Sequence, residues 1–321
     1  MRRGRRPRRP EITVKQRTNL KKFKKIYIEI TNQCNLSCSF CPKTKRKSHF
    51  MSLEEFTHII NATKAQGENF YFHVMGEPTA HPHFADFLAI AKDNGVKVNI
   101  TTNGTLLDRV GDDIIENTPR SVSVSMHSFE ANSLNKDMIA YLDKIMSFCR
   151  KSIGSGITVE LRLWNFDRES IYDKNQLNGQ IVDYLEGQLS LDFDLRSAIN
   201  AKFDEMEISN SRKFNFRLKD RIFLGMAQHF EWPDINKTDR YCDGFCYGLR
   251  NQIAVLANGD VIPCCLDSEG NMVLGNIHQN SLQEIFESRR AQAIYTGFTH
   301  RKAVEPLCQT CGYMKMYDKK K

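Results

Sequence analysis

The sequence predicts an α/β fold: an open, partial (β/α)6 TIM-like barrel followed by a small, cysteine-rich domain of one β-hairpin and a helix. Three observations predict it. Short apolar strands alternate with amphipathic helices from residue 26 to about residue 151, a pattern that means parallel βα units with functional groups at the C-terminal ends of the strands. Each strand also has one greasy and one polar face. Ile26, Ile28 and Ile30 oppose Tyr27, Glu29 and Thr31; Val122 and Val124 oppose Ser121, Ser123 and Ser125; Leu161 and Leu163 oppose Glu160, Arg162 and Trp164. A closed eight-stranded barrel fills its centre with branched apolar side chains, whereas these strands turn polar groups inward, so an open barrel around a polar occupant fits better. Finally, Asn258-Gly259 joins two short β runs that cysteines flank, the signature of a tight hairpin.

The elements follow in order. The first strand spans 26–31. Helices are expected over 52–66, where Ser52 and Glu55 form a capping box, over 82–94, closed by Gly95, over 108–117 and over 135–151. Between them a second strand ends in Gly76-Glu77-Pro78, a third (96–102) in Asn103-Gly104, and a fourth (121–125) near His127. Beyond residue 165 the pattern weakens, with a helix over 178–189 and a last barrel strand within 221–232. After the hairpin comes a helix from Ser281 to about Gln292, capped by Ser281 with Glu284. The domains read as 1–25, a basic arm; 26–240, the barrel; 241–315, the cysteine-rich domain; and 316–321, a basic tail.

The chain has 321 residues and 40% hydrophobic content, enough to bury a full core. Neither an apolar run of membrane-spanning length nor a signal sequence is evident, so a soluble, cytoplasmic protein with no membrane partner is expected. Residues 1–25 hold twelve Lys or Arg against one acid, Glu11, while the remainder holds 34 basic and 37 acidic residues. The formal charge of +8 therefore belongs to the arm, which suits either a solvated tail or contact with nucleic acid.

Ten cysteines concentrate the chemistry. Cys34, Cys38 and Cys41 stand at C-x3-C-x2-C spacing directly after the first strand, so one loop aims three thiolates at one point. Thiolates are soft ligands suited to iron–sulfur clusters, zinc or copper(I). Three do not close a tetrahedral zinc site, and the nearest histidine, His49, follows a basic run, 43–47, that reads as flexible. An iron with an open position is the sharper reading.

These residues resemble the radical S-adenosylmethionine (radical SAM) superfamily, in which three such cysteines hold a [4Fe-4S] cluster and SAM occupies the fourth iron. The resemblance extends to Gly76-Glu77-Pro78, which is similar to the superfamily's GEP motif beside the SAM amino group. It implies that Phe40 lies beside the adenine, that Ser125 reaches the ribose and that Asn103 joins the same cofactor-binding set. Arg162 is either a partner of the SAM carboxylate or half of an ion pair with Glu160 or Glu29. His73 and His127 face the same interior without an assigned role, and no catalytic acid or base is identified. The segment 246–311 resembles a shortened SPASM, or twitch, domain, whose auxiliary [4Fe-4S] ligands here would be Cys246, Cys264, Cys308 and Cys311. Cys242 and Cys265 are spare, and an extended strand would point Cys264 and Cys265 to opposite faces. Cys149 lies in a helical pattern and reads as a buried hydrophobe.

The resemblance implies an oxidoreductase with two clusters. It cleaves SAM reductively, abstracts hydrogen from a substrate C–H bond and uses the auxiliary cluster as electron acceptor. The substrate would be a ribosomal peptide or protein, or a small alcohol such as an amino sugar, and the electron donor a flavodoxin or ferredoxin. A zinc-binding, nucleic-acid-binding protein built on the basic arm is the alternative.

Overall fold

A computed structural model describes residues 21–132, 137–166, 176–209 and 211–317. The arm before residue 21 and the tail beyond 317 lie outside the described residues. Strands β1 (Lys25–Ile28), β2 (Phe70–Tyr71), β3 (Val98–Thr102), β4 (Ser121–Ser125) and β5 (Thr158–Phe166) alternate with helices α1 (Leu53–Thr63), α2 (Phe84–Asp93), α3 (Leu107–Asn117) and α4 (Met138–Ser152). The sequence places each of these helices to within a few residues because its end signals are local. Ser52 Oγ accepts the Glu55 N–H at 3.1 Å while Glu55 Oε2 accepts the Ser52 N–H at 2.7 Å, the reciprocal pair that stops a helix N-terminus from fraying.

After β5 come α5 (Gln176–Leu189), α6 (Leu195–Ser209), β6 (Lys213–Lys219) and β7 (Ile222–Gln228). The strand expected within 221–232 is β7, parallel to β5, whereas α6 and the antiparallel partner β6 were not legible as elements. Six parallel strands, β1-β2-β3-β4-β5-β7, form the barrel wall, which does not close. Ile26, Ile28 and Ile30 are buried with Phe56, Ile59 and Phe87 of the outer helices. The inner face is polar, as the alternation predicts. Ser121 donates to Asn99 at 2.7 Å, and Glu160 accepts from Ser123 at 3.1 Å and from Arg162 at 2.7 Å. Gly225 of β7 makes room for that carboxylate, because a Cβ there would stand 2.6 Å from Glu160 Oε1.

The cysteine-rich region continues the same sheet. Strand β8 (Gln252–Val255) pairs in parallel with β1 along Lys25–Ile28, and β9 (Asp260–Ile262) and β10 (Gly275–Asn276) extend the edge antiparallel. One ten-stranded sheet thus carries both halves, and no break in it marks the expected boundary at residue 240. The helix expected from Ser281 to about Gln292 divides into α7 (Leu282–Glu287) and α8 (Arg289–Thr299). Ser288 turns extended at ψ 149° and its hydroxyl accepts the Ala291 N–H, so a second cap interrupts the helix. The short helices α9 (Pro306–Gln309) and α10 (Gly312–Tyr317) follow. Among the described residues no helix is long and apolar enough to cross a membrane.

Candidate iron–sulfur and SAM site

The loop after β1 holds Cys34, Cys38 and Cys41 at the C-terminal end of the barrel, shaped by bonds that the spacing alone does not reveal. Asn132 is the main clamp: its Oδ1 accepts the Ser37 N–H at 2.7 Å and its Nδ2 donates to Cys38 Sγ at 3.1 Å. Asn103, at the end of β3, donates to Asn35 Oδ1 at 2.8 Å. Cys38 is buried and Cys34 exposed. Although the Cys34 residue is exposed overall, the packing around its sulfur desolvates the thiol and pushes it up to about 11; desolvation also raises Cys41, and both lie close to Cys38. A metal cation that binds such thiols displaces their protons into the solvent, so ligation takes the thiolate form.

The Gly76 turn packs directly on this loop. Gly76 has φ +78°, and a Cβ there would sit 2.4 Å from the Thr31 carbonyl oxygen and 2.7 Å from that of Gln33; the Glu77 N–H donates to the same Gln33 oxygen at 2.8 Å. Only glycine fits both the angle and the approach. Glu77 is buried, and its carboxylate accepts the Thr79 N–H at 3.1 Å, the Thr79 hydroxyl at 2.6 Å and the Asn103 N–H at 2.7 Å. It therefore ties the end of β2 to the end of β3, while burial raises its pKa. Pro78 opens the short 3-10 turn that follows. Gly76→Ala is expected to cost about 1–3 kcal/mol in backbone strain alone and to lower the iron held by the Cys34 loop, read by thermal melting and iron analysis under anaerobic conditions.

Phe40 lies 5.0 Å from the His127 ring, and both line a cavity of about 550 Å³ with Cys41, Glu130, Asn165, His229 and Trp232. Burial, with Arg162 nearby, lowers His127 to about 4, so its imidazole is neutral. Ser125 ends β4 half-buried. Of the alternatives for Arg162, the structure contains the ion pair with Glu160 (2.7 Å), and the guanidinium lies 4.3 Å from the Trp164 ring centre. The Glu29 alternative is excluded: Glu29 is fully buried and its carboxylate is taken by Arg46 at 2.6 and 2.8 Å. The basic run at 43–47 is accordingly anchored, not flexible. Glu130, Asn165 and His229, missed as site residues, are isolated in sequence and meet only in the fold. His73 has a buried Nδ1 without a hydrogen-bond partner, and burial lowers it to about 3.

The second site is a cavity of about 140 Å³ lined by Cys246, Cys264, Cys265, Cys308 and Cys311, with Tyr27 of β1. Here an expectation needs correcting. Strand β9 ends at Ile262 and the chain bends through Pro263, so Cys264 and Cys265 do not splay to opposite faces and both reach the cavity. Cys242 is exposed and not among the lining residues; Cys149 is buried in the core as expected. Burial and neighbouring thiols raise Cys264 and Cys308 well above the ordinary thiol range, and burial raises Cys246 to about 11. Among the described residues, no three His, Cys, Asp or Glu side chains converge on a single-ion site, whereas five thiols bound one cavity. That donor set fits a sulfur-ligated group of several metal atoms.

Residues 28–172 match the model of the radical SAM superfamily, and residues 246–312 match that of an iron-sulfur cluster-binding domain, SPASM. Residues 28–172 form a radical SAM domain. The chain's two domains imply [4Fe-4S] clusters and SAM binding. Over 90% of its length this radical SAM chain is 26% identical to 87% of a tungsten-containing aldehyde ferredoxin oxidoreductase cofactor-modifying protein from Pyrococcus furiosus. It is 24% identical, over 81% of its length, to 87% of a GTP 3′,8-cyclase from Alkaliphilus oremlandii. The fold is similar to that of BtrN in complex with AdoMet and 2-DOIA (TM-score 0.54, 17% identity, 91% and 94% of the two chains). It is also similar to Streptococcus suis SuiB bound to S-adenosylmethionine (TM-score 0.58, 17% identity, 92% and 72%). None of these matches supports the zinc-binding, nucleic-acid-binding alternative.

Proposed function

We propose that this radical SAM enzyme oxidises its substrate, with Cys34, Cys38 and Cys41 holding the SAM-binding cluster and Cys246, Cys264, Cys308 and Cys311 holding an auxiliary one. The observation that carries the reading is that β1 serves both sites: its inward Tyr27 lines the auxiliary cavity and its C-terminal end runs into the Cys34 loop. Held by Cys34, Cys38 and Cys41, a cluster would supply the one-electron reduction of the SAM sulfonium that lets a 5′-deoxyadenosyl radical remove hydrogen from a substrate C–H bond.

The chain's own residues hold and orient. The Gly76 turn and Glu77 fix the cluster loop against the ends of β2 and β3, and Phe40 with His127 walls the cavity that receives the nucleoside. The four cysteines proposed there would ligate every iron of a four-iron group, leaving none open to substrate. Such a group would supply the acceptor for the second electron, which leaves the substrate together with a proton. The substrate class is a peptide or protein side chain, or a small alcohol such as an amino sugar, and the electron donor a flavodoxin or ferredoxin. Measuring 5′-deoxyadenosine formation with peptides and with amino-sugar alcohols tests the reading; stimulation by neither class, with no oxidised product, would count against it.

The ligand choice at the bend is separately testable. Cys265→Ala is expected to keep about eight irons per chain and Cys264→Ala to fall to about four, as one [4Fe-4S] group requires. Retention of all iron in Cys264→Ala alone would transfer the role to Cys265.

A further inference from the structure

The segment between Cys41 and α1 bridges the two cysteine sites. Glu29, one residue beyond β1, is fully buried and accepts from both neighbouring strands' extensions: the Met75 N–H, just before the Gly76 turn, and the Ala257 N–H, just after β8, each at 3.0 Å. Arg46 completes this carboxylate with its two terminal nitrogens, at 2.8 and 2.6 Å, and its Nε donates to the Ser268 carbonyl at 2.9 Å. Next to it, the Lys45 N–H donates to the Glu269 carboxylate at 3.0 Å. Ser268 and Glu269 stand three to five residues from the Cys264-Cys265 bend. The same loop is folded by buried Asp267, which accepts the Asn271 and Met272 N–H groups at 2.8 and 2.7 Å. A guanidinium fork on a buried carboxylate is strong and directional, and removing either partner strands the other charge.

We propose that the Arg46–Glu29 pair is a clamp through which the segment between Cys41 and α1 positions the auxiliary cysteine loop, with Arg46 a positioning residue for a site it does not touch. Its contacts divide accordingly: two nitrogens reach the barrel strand, the third reaches the auxiliary loop, and Lys45 adds a backbone tie to that loop. The proposal rests on the auxiliary ligand assignment above.

The test uses the reconstituted full chain. Arg46→Ala is expected to speed hydrogen exchange in 256–272 about tenfold, the scale of one lost charge-assisted hydrogen bond, with exchange in α3 and α4 unchanged. It is also expected to speed release of auxiliary iron to a chelator about tenfold, as outer contacts to ligand loops do. Arg46→Lys, which keeps the charge but not the fork, should fall between. Unchanged exchange in 256–272, or a uniform rise across the chain, overturns the clamp. Should Arg46→Ala fail to fold, Glu269→Ala decides, because it removes only the acceptor of the Lys45 N–H: a smaller rise confined to 256–272 supports the clamp and no rise overturns it. If the unsubstituted chain held no auxiliary iron, the ligand assignment would fail while the exchange result still judged the clamp.

Discussion

Replacing Cys34, Cys38 and Cys41 together with Ala is expected to lower the iron content from about eight to about four per chain and to abolish cleavage of SAM. The loss is expected to be total because, among the described residues lining the cavity beside Phe40, Cys41 is the one thiol. Cys34 and Cys41 adjoin Cys38, whereas the five cysteines of the second cavity belong to the other site. The loop itself should survive the change. The Asn132 Nδ2–Cys38 Sγ and Leu36 N–H–Cys34 Sγ contacts are lost, but Ser37 is still held by Asn132 Oδ1, Asn35 by Asn103, and the Ser39 N–H by the Ala131 carbonyl at 2.9 Å. A melting temperature close to that of the metal-free unsubstituted chain, with auxiliary iron retained, would show that the site and not the fold was removed. Retained cleavage would sink the assignment of these ligands.

What was legible in the sequence was local. Three cysteines within eight residues, a glycine turn and two serine–glutamate capping boxes each declare themselves over a few residues, and the turn and both capping boxes form. The polar inner face of the barrel was equally legible, since it is a period of two written into each strand. Pairings between distant segments were not. Parallel pairing of β8 with β1 fuses the cysteine-rich region to the barrel sheet, yet nothing in either strand names its partner. Arg46 looked like one more charge in a basic run until the fold set it against Glu29. Arg162 had two readings because a guanidinium suits a ligand carboxylate and a protein carboxylate equally, and Glu160, two residues away on the same face, is the one that the structure places beside it. The bend at Pro263 shows the reverse limit: opposite faces for Cys264 and Cys265 required an extended strand, but β9 ends at Ile262 and both cysteines reach the cavity.

Replacing Cys308 and Cys311 with Ala is expected to separate the two halves of the reaction, abolishing formation of oxidised product while leaving 5′-deoxyadenosine formation within about tenfold of the unsubstituted chain. The separation follows from where the contacts lie. Cys308 and Cys311 flank the turn between α9 and α10, where Cys308 Sγ adjoins Met272 Sδ at 3.6 Å and the Cys311 N–H donates to the Cys308 carbonyl at 3.2 Å. The described hydrogen bonds that shape the Cys34 loop, the Gly76 turn and Glu77 come from the segments that follow β1, β2, β3 and β4, not from this turn. What reaches from the second cavity toward the barrel is Tyr27, whose ring stacks on Tyr71 at 4.9 Å and whose hydroxyl end faces Cys265. Loss of the auxiliary group would then leave the SAM site able to form its radical but without an acceptor for the second electron. Iron analysis should give about four per chain, held by the Cys34 loop. Parallel assays of 5′-deoxyadenosine and of product, with the same reductant, measure the ratio directly. Product and 5′-deoxyadenosine falling together would show that the auxiliary site is needed before hydrogen abstraction, and undiminished formation of both with half the iron gone would remove it from the oxidation altogether.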